Sequence, residues 1–193
     1  AINAFEDSGF LLKDILAWKK PIAHHRAQRV SGILEKRGLE EEADKWKGWR
    51  LGNLAPIWEP ILWLMKPYQI GGTITDNLLE NEVGAINIDG CVETGTKATN
   101  LLEFGFQKNE TRIHEAQKPL ALLEYLIKLT TREQQVVLDP FMGSGTTAIA
   151  AKKLDRAFIG FEINPDFYEQ SIFRLEGVQL NKETFNQEQI SLF

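Results

Sequence analysis

The chain has 193 residues, 43% of them hydrophobic, enough to bury the core of one domain plus a smaller module. Twenty-two Lys and Arg against 27 Asp and Glu leave a net charge of −5, which opposes a general affinity for polyanions unless basic residues gather on one face. The single cysteine, Cys91, excludes an internal disulfide or a thiolate metal cluster. No apolar run approaches the roughly 20 residues of a membrane span, and no secretory signal opens the chain, so a reduced, cytoplasmic, soluble protein is expected.

Ala1 to Phe10 reads as the last turns of a helix closed by Gly9 as its C-cap. It carries neither a capping signal nor an initiator methionine, so the chain is expected to begin inside a domain. Leu11 to Trp18 reads as a strand, closed by Lys19-Lys20-Pro21. From Ile22 to about Arg112 the texture changes. His24-His25-Arg26-Ala27-Gln28-Arg29 is basic and polar, and Leu34 to Trp49 alternates charged and aromatic residues. Trp58 to Pro67 reads as a strand bracketed by prolines that suit its ends. Residues 69–99 are rich in Gly, Thr and Asn and read as irregular structure with short strands or long loops. Trp46, Trp49, Trp58 and Trp63 are expected in the core, because large aromatics usually bury, and Cys91 as a small buried hydrophobe.

The C-terminal part has cleaner punctuation. Pro119 suits the first turn of a helix running to about Thr131, with Leu120, Leu123, Leu126, Ile127 and Leu129 at broadly helical spacing. Gln135 to Asp139 reads as a buried parallel strand and Thr146 to Leu154 as a helix. Ala157 to Phe161 reads as the next strand, ending in Glu162. Pro165 opens a helix that Gly177 is expected to end. This β-α-β-α order is the signature of a doubly wound sheet.

The turn after Asp139 has the chemistry of a nucleotide-type ligand site at the carboxyl end of a parallel strand. Gly143 and Gly145 allow a tight turn and a close approach of backbone to ligand. The next helix offers unpaired N–H groups that favour an anion, and Thr146 and Thr147 add hydroxyls there. Glu162, at the end of the adjacent strand, can accept both hydrogen bonds of a ribose diol, and Phe141 and Ile163 can sandwich a purine. The third glycine of the dinucleotide fingerprint is missing, and so is the Gly-Lys-Ser/Thr of a P-loop. A lone Gly-x-Gly would read as a structural strand-turn-helix; Asp139, both threonines and Glu162 in register favour a ligand site.

These residues carry a family resemblance. Asp139-Pro140-Phe141-Met142-Gly143-Ser144-Gly145-Thr146-Thr147 resembles the S-adenosylmethionine motif of the bacterial DNA amino-methyltransferases, which modify adenine N6 or cytosine N4. His114-Glu115-Ala116-Gln117-Lys118-Pro119 is similar to that family's His-Pro-Thr-Gln-Lys-Pro signature, departing at Glu115 and Ala116. Phe158 to Pro165 resembles the strand whose acid binds the cofactor ribose, and Gly9 to Pro21 a late segment of the catalytic half. The cofactor motif follows the recognition region, as in the β group of these enzymes. The resemblance implies a Rossmann-like doubly wound α/β fold of the S-adenosylmethionine-dependent methyltransferase type. It divides the chain into 1–21 as the end of the catalytic half, 22–110 as an inserted target-recognition region and 111–193 as the cofactor-binding part. It implies S-adenosyl-L-methionine as cofactor, held by Gln117, Lys118, Asp139, Pro140, Phe141, Gly143, Ser144, Gly145, Thr146, Thr147, Glu162, Ile163 and Asn164, with Lys118 near the cofactor's carboxylate.

The family's catalytic tetrapeptide, Asp/Asn/Ser-Pro-Pro followed by an aromatic, does not occur: the seven prolines are never adjacent. In the β order it is expected upstream of Ala1, so no catalytic residue is assigned in this chain, which is expected to be inactive alone. The expected partners are double-stranded DNA and the missing N-terminal catalytic part or a companion polypeptide; a homodimer fits as well. Within the recognition region, His24, His25, Arg26 and Arg29 are the candidate DNA contacts, against the plainer reading of a solvated polar loop. His114 reads as structural or cofactor-proximal, since no second ligand sits at metal spacing. The implied activity is restriction-modification methylation of adenine N6. Cytosine N4, a non-catalytic DNA- and cofactor-binding subunit, and an RNA methyltransferase are the alternatives.

Overall fold

The computed structural model describes residues 2–23, 27–69, 71–91, 98–108, 110, 112–113 and 116–179. Helix α1 (Ile2–Asp7) closes as expected at Gly9, which takes a left-handed φ of +88°. Strand β1 (Leu11–Lys19) is the centre of a three-stranded sheet. It pairs antiparallel with β4 (Trp58–Met65), from Leu11↔Met65 to Lys19↔Trp58 with an irregularity after Leu12, and parallel with β5 (Leu101–Glu103). Pro60 lies inside β4, opposite Ala17, rather than at its end. It is accommodated because β4 is an edge strand, where a missing donor is tolerated.

Between β1 and β4 lies a small module. Strand β2 (Gln28–Arg29) pairs antiparallel with β3 (Arg50–Leu51), and the short helices α2 (Val30–Glu35) and α3 (Glu40–Lys45) bridge them. After β4 the stretch expected to be irregular contains two helices, α4 (Ile74–Asn81) and α5 (Ile88–Cys91). Its start signal is a capping box. The Thr73 hydroxyl accepts the Asp76 N–H at 3.1 Å, and the Asp76 carboxylate accepts the Thr73 N–H at 2.7 Å. Local Gly and Asn density masked that signal in the sequence.

The C-terminal unit runs α6 (Leu120–Thr130), β6 (Val136–Asp139), α7 (Thr146–Lys153), β7 (Ala157–Gly160) and α8 (Pro165–Gln179). Strands β6 and β7 are parallel, in register from Val136↔Ala157 to Asp139↔Gly160. Helix α7 crosses between them and packs close because it presents Ala148, Ala150 and Ala151, all buried. With Ile127, Ile149, Phe158 and Leu175 they form one core cluster; Leu16, Trp18, Leu102 and Leu122 form a second. Helix α6 contributes to both, Ile127 to the first and Leu122 to the second, and so joins the two sheets. Its first N–H, on Leu120, is capped from a distance by the Glu110 carboxylate at 2.9 Å.

Two expectations are corrected here. Strand β6 is not buried on both faces: Val137 packs on the α7 cluster, while Val136 and Leu138 stay exposed. Gly177 does not end α8, which continues to Gln179 because intrahelical hydrogen bonding carries the chain through a residue that only weakens a helix. Among the described residues no helix is long and apolar enough to cross a membrane.

Candidate functional site

The site is built where β6 and β7 end. Asp139 closes β6, and its carboxylate is spent on local architecture. One oxygen accepts the Phe141 N–H at 3.0 Å and the other accepts the Thr147 hydroxyl at 2.6 Å, tying the strand to the first turn of α7. The Phe161 N–H donates to the Asp139 carbonyl at 3.0 Å and the Met142 N–H to the Phe161 carbonyl at 2.9 Å, so the two loops continue the strand pairing. Between them Gly143 and Gly145 take φ of +53° and +76°, which L residues rarely adopt. Gly145 is also a packing necessity: a Cβ there would stand 2.8 Å from the Cβ of Ser171 on α8.

Glu162 clasps the two loops. Its Oε2 accepts the Gly143 N–H at 2.9 Å and its Oε1 the Asn164 N–H at 2.8 Å. Asn164 in turn caps α8 by accepting the Asp166 N–H at 2.9 Å. Beside Glu162 opens a hollow of about 380 Å³, lined by Pro140, Phe141, Phe161, Glu162, Ile163 and Tyr168. Phe141 is 87% exposed and Ile163 is 99% exposed, two large apolar side chains bordering one hollow with a carboxylate in its wall. Isolated exposed apolar residues are ordinary; several around one concavity make it a candidate ligand site. Tyr168 went unnoticed in the sequence, although its place in the first turn of the helix after Asn164 puts it within reach of the same loop.

The back of the turn is held by side chains from the segment just before α6 and from α8. Gln117 is buried and its carbonyl oxygen accepts the Ser144 hydroxyl at 3.2 Å and the Ile113 N–H at 3.0 Å. Arg174 reaches back from α8 and donates to the Ser144 carbonyl at 2.5 Å, the Ser144 hydroxyl at 3.0 Å and the Thr146 hydroxyl at 3.2 Å. Burial lowers the pKa of its guanidinium, and the charge of Glu110 acts in the opposite sense. Sequence reasoning missed Arg174; the available hint was its position one turn after Ser171, on the α8 face that meets Gly145.

Lys118 follows Gln117 but is turned toward the other sheet. Its ammonium pairs with Glu59 at 2.7 Å and lies 5.3 Å from the centre of the Trp18 ring. Lys20 pairs with the other Glu59 oxygen at 3.2 Å. The hydrogen bond from Lys118 is the largest influence holding the Glu59 carboxyl below its ordinary value, burial opposes it, and Lys20 adds to the lowering.

The other candidates are scattered. His24, His25, Arg26 and His114 lie outside the described residues. Arg29 is exposed in β2, directly opposite Arg50. Trp46, Trp49 and Trp58 are exposed rather than in the core, and Trp63 is half-buried. The module around the first two has six-residue helices and two-residue strands, too little mass to enclose an indole. Cys91 is half-buried, and desolvation raises its thiol pKa.

The sequence model of the DNA methylase family, which groups N6 and N4 methyltransferases, matches residues 1–173. The chain belongs to this family. The Type II methyltransferase M.HindIII of Haemophilus influenzae is 47% identical over 192 residues, covering 97% of this chain and 62% of that protein. M1.MboII of Moraxella bovis, another Type II methyltransferase, is 46% identical over 68 residues, 35% of this chain and 26% of that one. Among solved structures, the M1.HpyAVI–SAM complex superposes with a TM-score of 0.60 at 27% identity, covering 90% of this chain and 66% of that one. The cytosine-N4-specific PvuII DNA methyltransferase superposes with a TM-score of 0.61 at 20% identity, over 98% of this chain and 56% of that one, which speaks for the fold. The fold is thus the Rossmann-like α/β fold of these methyltransferases. The chain spans less than two thirds of the length of M.HindIII.

Proposed function

We propose that this chain is the cofactor-holding and DNA-recognising part of a restriction-modification DNA methyltransferase that moves a methyl group from S-adenosyl-L-methionine to adenine N6. One observation carries the reading: Glu162 clasps the Gly143 turn beside a hollow bordered by Phe141 and Ile163. The residues fit the cofactor's chemistry. Each Glu162 oxygen holds one backbone N–H and keeps lone-pair capacity for a ribose hydroxyl. Phe141 and Ile163, with Pro140, offer apolar surface to a purine, and Asn164 fixes the loop that carries Ile163. The N-terminus of α7, with Gly145, Ser144, Thr146 and Thr147, suits a carboxylate. Gln117 braces that turn through Ser144. Lys118 is the cation that would exchange Glu59 for the cofactor's carboxylate, while Arg174 keeps the turn shaped. When bound, the cofactor supplies an electrophilic methyl group on a sulfonium.

Methyl transfer then depends on positioning a target amine against that methyl group. The family does this with its Pro-Pro-aromatic segment, which holds the flipped base, and that segment is not among these 193 residues. The open face of β6 at Val136 and Leu138 supports a reading in which further structure completes the sheet, since parallel sheets are normally covered on both faces. On this reading residues 1–21 end the catalytic half, 22–110 recognise DNA through His24, His25, Arg26 and Arg29, and 111–193 hold the cofactor. Adenine is preferred because it is the commoner target among similar enzymes.

Calorimetry should show the 193-residue chain binding S-adenosylmethionine; absence of binding overturns the reading. With tritiated cofactor and DNA, the chain alone should transfer no methyl group, and transfer by it alone refutes the incomplete-site reading. Supplying a polypeptide that carries the tetrapeptide should restore transfer. Nucleoside analysis should then give N6-methyladenine; N4-methylcytosine refutes the adenine assignment.

A further inference from the structure

We propose that the module between β1 and β4 docks double-stranded DNA through Arg50 and Trp49 together with Arg29. The inference rests on the DNA substrate proposed above and says where the duplex is gripped.

The first argument is electrostatic. The β2–β3 register places Arg29 directly across from Arg50. Like charges directly opposite on a ladder destabilise it. Among the described residues neither arginine has a carboxylate within ion-pair distance; the nearby Lys45, by contrast, is paired with Glu42. One guanidinium nitrogen of Arg50 donates to the Ala27 carbonyl at 3.3 Å, which orients the group and leaves most of its donors unspent. A repulsive pair of this kind is relieved when a polyanion lies across both groups. The acids Glu40, Glu41 and Glu42 sit instead in the first turn of α3, where a helix N-terminus favours them.

The second argument is apolar. Trp49, beside Arg50, is 62% exposed, and Trp46, 43% exposed, braces it edge to face with ring centres 5.4 Å apart. Trp49 lines an open hollow of about 510 Å³ with Lys47, Arg50, Asn53, Leu54 and the backbone of Ala27 and Gly52. Gly52, at φ +122°, presses to within 3.2 Å (from its would-be Cβ) of the Ala27 Cα, which fixes the hollow against the segment just after residues 24–26. A braced indole, an arginine, a lysine and an amide around one hollow, with Arg29 across the ladder from Arg50, match the parts of a nucleotide strand: base or sugar on the ring, phosphates on the cations.

The test is fluorescence anisotropy of the full 193-residue chain with a labelled duplex of about 25 base pairs across a salt series, and calorimetry with S-adenosylmethionine on each variant as a check of folding. Arg29→Ala/Arg50→Ala should weaken binding at least about tenfold at low salt and reduce the log–log salt slope by roughly 2. Arg29→Lys/Arg50→Lys should keep the slope. Trp49→Ala should weaken binding about 5- to 100-fold with the slope unchanged, and Trp49→Phe should recover part of the loss. Cofactor binding should be the same in all four. Duplex affinity and slope unchanged in the double alanine variant, or tighter binding of single-stranded RNA than of duplex through these same residues, overturns the inference. A wild-type chain that binds cofactor but no duplex overturns it while leaving the cofactor site standing; a chain that binds neither removes the proposed function as well.

Discussion

Glu162→Ala removes the acceptor for two backbone N–H groups, Gly143 at 2.9 Å and Asn164 at 2.8 Å, and on the proposed reading also the acceptor for a ribose diol. Hydrogen bonds to a charged group contribute about 1.5–3 kcal/mol each, but Glu162 is only half-buried, so water will satisfy part of what is lost. A stability loss of about 1–2 kcal/mol is expected, lowering the melting temperature by roughly 2–8 °C in a chain of this size. Cofactor affinity should fall by a further 1–3 kcal/mol, roughly 5- to 150-fold. Glu162→Gln sharpens the test: an amide has one acceptor oxygen, so one of the two N–H groups would face another donor. Glutamine should therefore recover less than half of either loss. Calorimetry at a temperature where both variants are folded separates the two effects. If stability falls while cofactor affinity is unchanged, Glu162 only shapes the turn and the ribose assignment is refuted.

Gly145→Ala should cost about 2–4 kcal/mol in urea unfolding, from a left-handed residue and a contact 2.8 Å from the Ser171 Cβ, whereas Gly143→Ala, with open space around it, should cost only about 1–2 kcal/mol. A smaller loss at Gly145 than at Gly143 contradicts the packing argument. The Glu59 carboxyl is held below its ordinary 4.5, chiefly by the hydrogen bond from Lys118, so the stability it contributes is fully present above that value and is lost as pH falls through the depressed one. Melting curves from about pH 7 to about pH 3 should show a shallower acid decline in Glu59→Gln than in wild type; parallel curves exclude the contribution. Lys118→Met should weaken cofactor binding about 3- to 10-fold at low salt, the loss fading as salt is raised. Unchanged affinity would leave Lys118 as the partner of Glu59 alone.

The C-terminal part of the chain was legible because its signals are local. Asp139, the two glycines, the two threonines and Glu162 follow one another along a single strand-turn-helix-strand, and each needs only its neighbours to be interpreted. Phe141 and Ile163 border one hollow because each follows the end of its own parallel strand. The α4 helix was missed although its capping box was in plain view, because Gly and Asn around it argued for loop. The burial of β6 was misjudged for a different reason. An apolar run shows that a strand wants cover on both faces, and says nothing about which element supplies it.

The remaining gaps share one physical cause: they depend on contacts between residues distant in sequence. Arg174 is an ordinary arginine on a helix until α8 folds back against the turn at Gly145. Lys118 has the right neighbours for a carboxylate, yet the β1–β4 pairing brings Glu59 to it first. The tryptophans show the same thing in reverse. Composition predicts that indoles bury, but burial needs surrounding mass, and a module of two short helices and a two-residue ribbon supplies little. Exposure of Trp46 and Trp49 is therefore forced by the size of the module, and the Arg29–Arg50 pair by its register. A small module that leaves two indoles in water and sets two arginines face to face gains little stability from either. On the proposed reading both features become favourable against a ligand that offers flat apolar rings and a line of negative charge, and a nucleic acid strand offers both.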